Sequence, residues 1–255
     1  MGASRYIIKK AYEIKKIKNI LDWVNLLTYD MHGSWEKVTG HSSAMASDIP
    51  TVPDCVGAWL EGGMPPHQIA LGIATYGRSF TLASANNARL GAPSDGPGLA
   101  GRYTETQGFL SYYEVCMTSW SSKENWQLSG VGAPFASKAN QWVGYETPES
   151  VEHKVKTLVN GHNLLGVAIW ALDLDDFDNT FCGQGKSPII KAANYAMAGG
   201  LLYIGPTTSQ ENHVDFSPMN KKQSRYRLCM ANRKWKAYKI HRQKWCPLPW
   251  MCLCF

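Results

Sequence analysis

Three apolar segments, each closing on polar, aromatic or acidic residues, constrain this chain more than any other feature. Residues 22–30 read Asp-Trp-Val-Asn-Leu-Leu-Thr-Tyr-Asp, 68–77 read Gln-Ile-Ala-Leu-Gly-Ile-Ala-Thr-Tyr-Gly, and 164–173 read Leu-Leu-Gly-Val-Ala-Ile-Trp-Ala-Leu-Asp. Such near-continuous apolar runs suit strands buried on both faces, as in a parallel sheet, where alternation is not required. Helical patterns stand around them. Residues 4–20 carry Ile7, Ile8, Ala11, Ile14 and Ile17 at three- and four-residue steps. Residues 52–61 run into Gly62 and Gly63, 148–160 open with Pro and Glu, and 187–197 open with Ser-Pro. Alternating helix and strand predicts an α/β fold with a parallel sheet. Function in such sheets collects at the carboxyl ends of the strands. That rule alone nominates Tyr29 with Asp30, Tyr76 with Arg78, and Trp170 with Asp173.

The pattern is interrupted between the second and third runs. Residues 84–108 are rich in Gly, Pro and Ser, with strand candidates at 78–83 and 141–145 and a helix candidate at 107–117. This predicts a small α+β insertion. Residues 31–47 read as a polar loop, with His32 and His41 as ordinary loop histidines. Cys55 reads as a packed free thiol.

Charge divides the chain again. Residues 198–255 hold 10 Lys and Arg against Glu211 and Asp215, while the other 197 residues hold 16 basic and 18 acidic residues. The formal charge of +6 therefore belongs to the tail. Its mixture of basic residues with Trp235, Trp245 and Trp250 could meet a polyanion. Composition favours a poorly ordered tail instead, and nucleic acid is not the expected partner. Hydrophobic residues are 44% of the chain, which excludes disorder throughout. The longest nearly apolar run, 164–172, is far short of the roughly 20 residues that span a bilayer, so no membrane partner is expected. Residues 1–20 hold no apolar h-region, so no signal peptide is expected there. Seven cysteines include no C-x-x-C pair. No metal site or cofactor is expected.

Longer motifs coincide with these strand ends. Residues 21–41 resemble the sixth strand of family 18 glycoside hydrolases of animal type, the chitinases and chitinase-like lectins. Gly72-Ile-Ala-Thr-Tyr-Gly-Arg-Ser-Phe-Thr-Leu-Ala83 resembles the seventh strand and the entry to that family's insertion domain. Leu110-Ser-Tyr-Tyr-Glu-Val-Cys116 is similar to a segment within it, and Gln141-Trp-Val-Gly-Tyr145 to its exit. Trp170-Ala-Leu-Asp-Leu-Asp-Asp-Phe177 resembles the eighth strand. The resemblance implies the last three strands of a (β/α)8 TIM barrel. It divides the chain into barrel at 1–77, chitinase insertion domain at 78–142, barrel again at 143–197, and an unrelated basic tail at 198–255.

The family's hydrolysis of β-1,4-linked N-acetylglucosamine is substrate-assisted, with the sugar's own acetamido group as nucleophile and one Glu as acid. The resemblance implies that Tyr29 orients the acetamido carbonyl and Asp30 binds the distorted sugar beside the cleaved bond. Trp170 would floor that subsite, and Trp35 would stack on the leaving side. Tyr76 and Arg78 would bind hydroxyls or the acetamido, Glu114 would reach in from the insertion domain, and Leu27 would stand where many members have Met. Cys116 and Cys182 would form a family disulfide, which implies an extracellular setting. The acid motif D-x-x-D-x-D-x-E does not occur in these residues. The nearest cluster, Asp173 to Asp178, has no Glu at the right place. The expected function is thus the chitin or chito-oligosaccharide binding portion of a chitinase, without hydrolysis by this chain alone. The alternatives are a non-catalytic lectin-like protein and a partial product that cannot fold, because three strands cannot close an eight-stranded barrel. Oligomeric state is left open.

Overall fold

The computed structural model describes residues 1–2, 5–46, 50–124 and 132–199, together with the backbone of two strands between 226 and 239. The chain forms two compact units, Met1–Leu202 and Tyr203–Phe255.

Residues 4–20 were expected as one helix. Two short ones form instead, α1 (Arg5–Ala11) and α2 (Ile14–Ile17), because Glu13 at φ −88°, ψ 72° leaves the helical region. The break has a packing reason. In one continuous helix Ile8 and Ile14 would lie about 120° apart around the axis; here both are buried in one core. Strand β1 (Val24–Leu26) follows. Helix α3 (Val52–Glu61) starts at Thr51, whose side chain and that of Asp54 cap each other's backbone N–H groups. It buries Val52, Cys55, Val56 and Trp59. Cys55 is a buried free thiol, and burial pushes its pKa up to about 12.

The run 68–77, expected as one strand, divides at Thr75. Strand β2 (Ile69–Ala74) is buried at every residue, and β3 (Tyr76–Leu82) belongs to a second sheet. Thr75 joins the two. Its N–H donates to Trp170 O at 3.0 Å in the first sheet, and its carbonyl accepts from Tyr112 N at 3.0 Å beside the second. No Gly or Pro stands at 75, so the sequence pattern conceals this corner.

The interrupted region holds more strand than expected. In order come β4 (Ser94–Pro97), β5 (Phe109–Ser111), α4 (Tyr112–Met117), β6 (Ser122–Glu124), β7 (Phe135–Lys138) and β8 (Gln141–Gly144). They form an antiparallel sheet in the order β4-β3-β8-β7-β6, with β5 also paired to β3. The expected helix 107–117 thus begins as a strand and becomes helical only after Ser111. A hydrophobic cluster of Phe80, Leu82, Ala92, Phe135 and Trp142 packs on this sheet.

Helix α5 (Pro148–Lys154) continues through a wider, π-type segment at Val155–Asn160, and leads to β9 (Gly166–Trp170) and α6 (Pro188–Met197). The first sheet is parallel, in the order β1-β2-β9, with Leu26 opposite Leu71 and Ala74 opposite Trp170. Helix α6 buries Ile189, Ala192, Ala193 and Ala196 along one stripe. Asp175, fully buried, accepts from Ile189 N and Ile190 N at its start. Asp176 accepts from the backbone of Thr180, Phe181 and Cys182. Two of the acids that end the third apolar run are therefore spent on local structure. Cys116 and Cys182 form a disulfide that ties α4 to the turn before α6.

The loop 31–46 is anchored by His41, which is fully buried rather than an exposed loop residue. Its Nδ1 accepts from Ser43 N at 3.1 Å. That leaves Nε2–H to donate toward Pro134 O and Tyr145 O, at 2.9 and 3.0 Å. Burial, reinforced by Lys154, lowers its pKa to about 4.

In the second unit, β10 (Tyr226–Ala231) pairs antiparallel with β11 (Lys234–Lys239). The expectations for the rest of the basic tail lie outside the described residues. Among the described residues no helix is long and apolar enough to cross a membrane.

Two outcomes are expected. The disulfide closes a loop of 66 residues, so its reduction should lower the unfolding free energy by about 4 kcal/mol in the chain-entropy model. Chemical denaturation with and without reductant reads this. His41 has a folded pKa below its ordinary 6.5, so the unfolded chain takes up the proton first as pH falls. The His41 contribution should be flat above pH 6.5 and decline toward pH 4 by up to about 3 kcal/mol. His153, also lowered by burial, adds in the same sense. Most of that slope should vanish in His41→Gln.

Candidate functional site

The carboxyl ends of β1, β2 and β9 lie side by side, so the residues that follow them are neighbours. Thr28, buried just past β1, donates its hydroxyl to Gly72 O at 2.7 Å. Thr75 Oγ1 donates to Ala171 O at 2.5 Å. These two threonines fasten the strand ends to each other. Gly72 permits the approach: a Cβ there would lie 2.2 Å from Leu26 O and 3.0 Å from the Tyr29 ring.

Asp30 takes a left-handed backbone conformation, φ 58°, which Asp tolerates better than most residues. Its carboxylate meets the start of β3. Oδ1 accepts from Tyr76 Oη at 2.8 Å and from Arg78 Nε at 2.7 Å, and Oδ2 accepts from Arg78 Nη2 at 2.7 Å. A forked guanidinium–carboxylate pair fixes orientation as well as distance. Burial alone would lower the pKa of Arg78, but the Asp30 contacts outweigh it and the net shift is upward. Three rings surround the guanidinium: Trp35 at 5.5 Å, Tyr76 at 5.4 Å and Phe109 at 5.3 Å. Cation–π attraction therefore adds to the ion pair.

Tyr29 meets Tyr76 edge to face at 6.0 Å. Burial first, and then the Asp30 charge, push the Tyr29 pKa to about 12. Its hydroxyl therefore stays protonated at neutral pH and can act as a donor. The Tyr76 hydroxyl is pushed higher still, again by burial first and Asp30 second. Trp35 is 60% exposed and Trp170 45% exposed, unusual for Trp. Leu27 is exposed as well.

The structure thus brings Tyr29, Asp30, Trp35, Tyr76 and Arg78 into one cluster. It sets Trp170 on the adjacent strand end, opposite Ala74. Glu114 does not join them. It is 4% exposed and sits in the first turn of α4 as the partner of the Ser111 cap. Its oxygens accept from Tyr103 N, Thr104 N, Thr104 Oγ1, Ser111 N and Ser111 Oγ. Burial opposes its charge, but these donors bring the net pKa down. The Glu114 carboxylate is thus engaged within the inserted segment itself. Phe109 and the two strand-end threonines were missed by sequence reasoning. The Thr before each Tyr in Thr28-Tyr29 and Thr75-Tyr76 is the signal that could have found them. Among the described residues no group of three or more His, Cys, Asp or Glu is placed to hold a metal ion.

The arrangement offers a proton-donating phenol, an anchored carboxylate and two exposed indole faces. Comparison with known proteins places it in a family context. The model of the glycosyl hydrolases family 18 matches residues 1–175. Human chitinase-3-like protein 2 is 43% identical over 207 residues, covering 77% of this chain and 52% of that protein. Mouse chitotriosidase-1 is 42% identical over 197 residues, covering 74% of this chain and 41% of that protein. Among solved structures, human YKL-39 matches with a TM-score of 0.73 at 41% identity, over 78% of this chain and 56% of that one. It is described as a pseudo-chitinase with retained chitooligosaccharide binding. The chain therefore spans about half the length of the relatives it matches.

Replacing Asp30 by Ala removes the acceptor of both Tyr76 and Arg78. Unfolding free energy should fall by about 1–3 kcal/mol. In a double-mutant cycle with Tyr76→Phe the two costs should be less than additive. Strict additivity in urea unfolding would show that Tyr76 does not depend on Asp30.

Proposed function

We propose, from the premise that this chain belongs to the glycosyl hydrolases family 18, that its strand-end cluster grips N-acetylglucosamine units of chitin or chito-oligosaccharides. One observation carries the reading. The anchored Asp30, the protonated Tyr29 and the exposed Trp35 meet at the ends of parallel strands, within the span that the family model covers. On this reading the Tyr29 hydroxyl donates to the acetamido carbonyl, and Asp30 accepts from the sugar ring's substituents. Arg78 and Tyr76 hold Asp30 in place. Trp170 and Trp35 pack on the apolar C–H faces of successive pyranose rings, gaining by burial of apolar area. Leu27 borders the site.

The finer architecture follows. We assign 1–77 and 143–197 to part of a (β/α)8 barrel and 78–142 to its inserted α+β domain. The division of the strands into a parallel sheet of β1, β2 and β9 and an antiparallel sheet of β3 to β8 supports this. An oxidising, extracellular compartment fits the Cys116–Cys182 bond.

Substrate-assisted hydrolysis needs a carboxylic acid at the leaving oxygen in addition to these groups. In the nearest acidic cluster, Asp173 to Asp178, Thr180 stands where that motif has its Glu, so the reading for these residues is binding without turnover. The retained binding described for the pseudo-chitinase relative favours the same lectin-like version.

Calorimetry with the GlcNAc tetramer tests it. The chain should bind, and Trp35→Ala and Trp170→Ala should each weaken affinity by roughly ten-fold, equivalent to about 1.4 kcal/mol. A fluorogenic chito-oligosaccharide should not be cleaved above buffer. Absence of binding, or unchanged affinity in both variants, would reject the assignment. Turnover lost in Tyr29→Phe would reject the lectin-like version.

A further inference from the structure

The loop 31–46 follows Asp30 and is held at its base from outside. Met31 N donates to Ser42 O at 3.0 Å and closes the loop that carries Trp35. The next residue, Ser43, has every polar group engaged. Its N–H goes to His41 Nδ1, its hydroxyl to Glu146, and its carbonyl and hydroxyl both accept from Lys154 Nζ. Lys154 also donates to Glu146, so its three N–H donors meet three acceptors. Glu146 accepts in turn from Ser150 Oγ at 2.6 Å. Lys154, Glu146, Ser43, His41 and Ser150 are all buried.

These residues come from three places: the loop, the end of β8 and the body of α5. A fully buried ion pair is a poor source of net stability, because taking both charges out of water costs about what their attraction returns. What such a pair does supply is one geometry. An ammonium with three fixed acceptors cannot slide as a methyl group can. Two contacts separate it from the site. Lys154 holds Ser43, Ser43 adjoins Ser42, Ser42 holds Met31, and Met31 follows Asp30.

We propose that Lys154, acting with Glu146 through Ser43, is a positioning residue for the carbohydrate site: it clamps the base of the 31–46 loop and thereby sets Asp30 and Trp35. The clamp rests on the reading of that cluster as a sugar site. Nothing in it touches sugar. Its effect is on affinity through loop geometry, with Thr39 as a second anchor. The Thr39 N–H donates to Ala92 O, and its hydroxyl to Arg89 O.

The test is the double variant Lys154→Met/Glu146→Gln, which removes both charges and leaves no buried ion uncompensated. Two readouts are taken on the full chain: affinity for the GlcNAc tetramer, and amide hydrogen exchange followed by peptide mass spectrometry. Affinity should fall by roughly ten-fold, the size expected for coupling from a residue outside the contact set. Exchange should accelerate in 31–46 while β2 and β3 keep their protection, a local opening rather than global loss. Affinity within about two-fold of wild type, or exchange in 31–46 unchanged, overturns the proposal. Acceleration spread evenly over the whole chain also overturns it, since it would mark a purely structural role. If the double variant does not fold, Ser43→Ala is read in the same way, as it keeps both charges and removes only the hydroxyl. A wild-type chain that binds no tetramer defeats the sugar-site reading. The exchange result then decides the clamp alone, supported by acceleration confined to 31–46 and overturned by its absence.

Discussion

The rest of the molecule depends on the burial of β2. Every residue from Ile69 to Ala74 is buried, with β1 on one side and β9 on the other. Its next residues leave for the second sheet and are largely buried there as well. Thr75 makes that exit. Its N–H serves one sheet and its carbonyl the other, so both hydrogen-bonding needs of the corner are met by neighbours. The antiparallel sheet is thereby fixed against the ends of the parallel strands.

The charged and aromatic groups inherit their positions from this corner. Tyr76 and Arg78 start β3 one and three residues past Thr75. Alternation along a strand places them on the same face. That face meets Asp30, which comes from the neighbouring strand end. The carboxylate is thus shared by two strands, and Arg78 is enclosed by rings from three segments. Acids elsewhere near strand and helix ends do different work. Glu114 and Asp175 are buried against backbone N–H groups and serve as caps. Exposure separates the two kinds: Asp30 stays open to solvent while they do not.

On the proposed reading the chain has the gripping half of a substrate-assisted site and not its acid. Such a site can bind without reacting, because orientation of the acetamido group lowers a barrier only when the leaving oxygen can also take a proton. The aromatic platforms need no such partner. They gain from apolar area whenever a pyranose face covers them.

Much of this was legible in the residues. The three apolar runs gave the three parallel strands, and the strand-end rule picked out Tyr29, Asp30, Tyr76, Arg78 and Trp170. Local patterns also located α3, α5 and α6, whose starts carry Thr, Pro or Ser-Pro. Three features were not legible. The 4–20 periodicity concealed a break that only the shared burial of Ile8 and Ile14 explains. The corner at Thr75 lies inside an apolar run, with no turn residue to mark it. The five donors that engage Glu114 are seen only in the fold. By itself the sequence determined which residues are apolar, which segments repeat at strand or helix spacing, and which side chains fall at strand ends. Only the tertiary structure decided which polar groups were already satisfied, because hydrogen-bond partners such as Ser43 and Glu146, 103 residues apart, are brought together by packing and not by any local pattern.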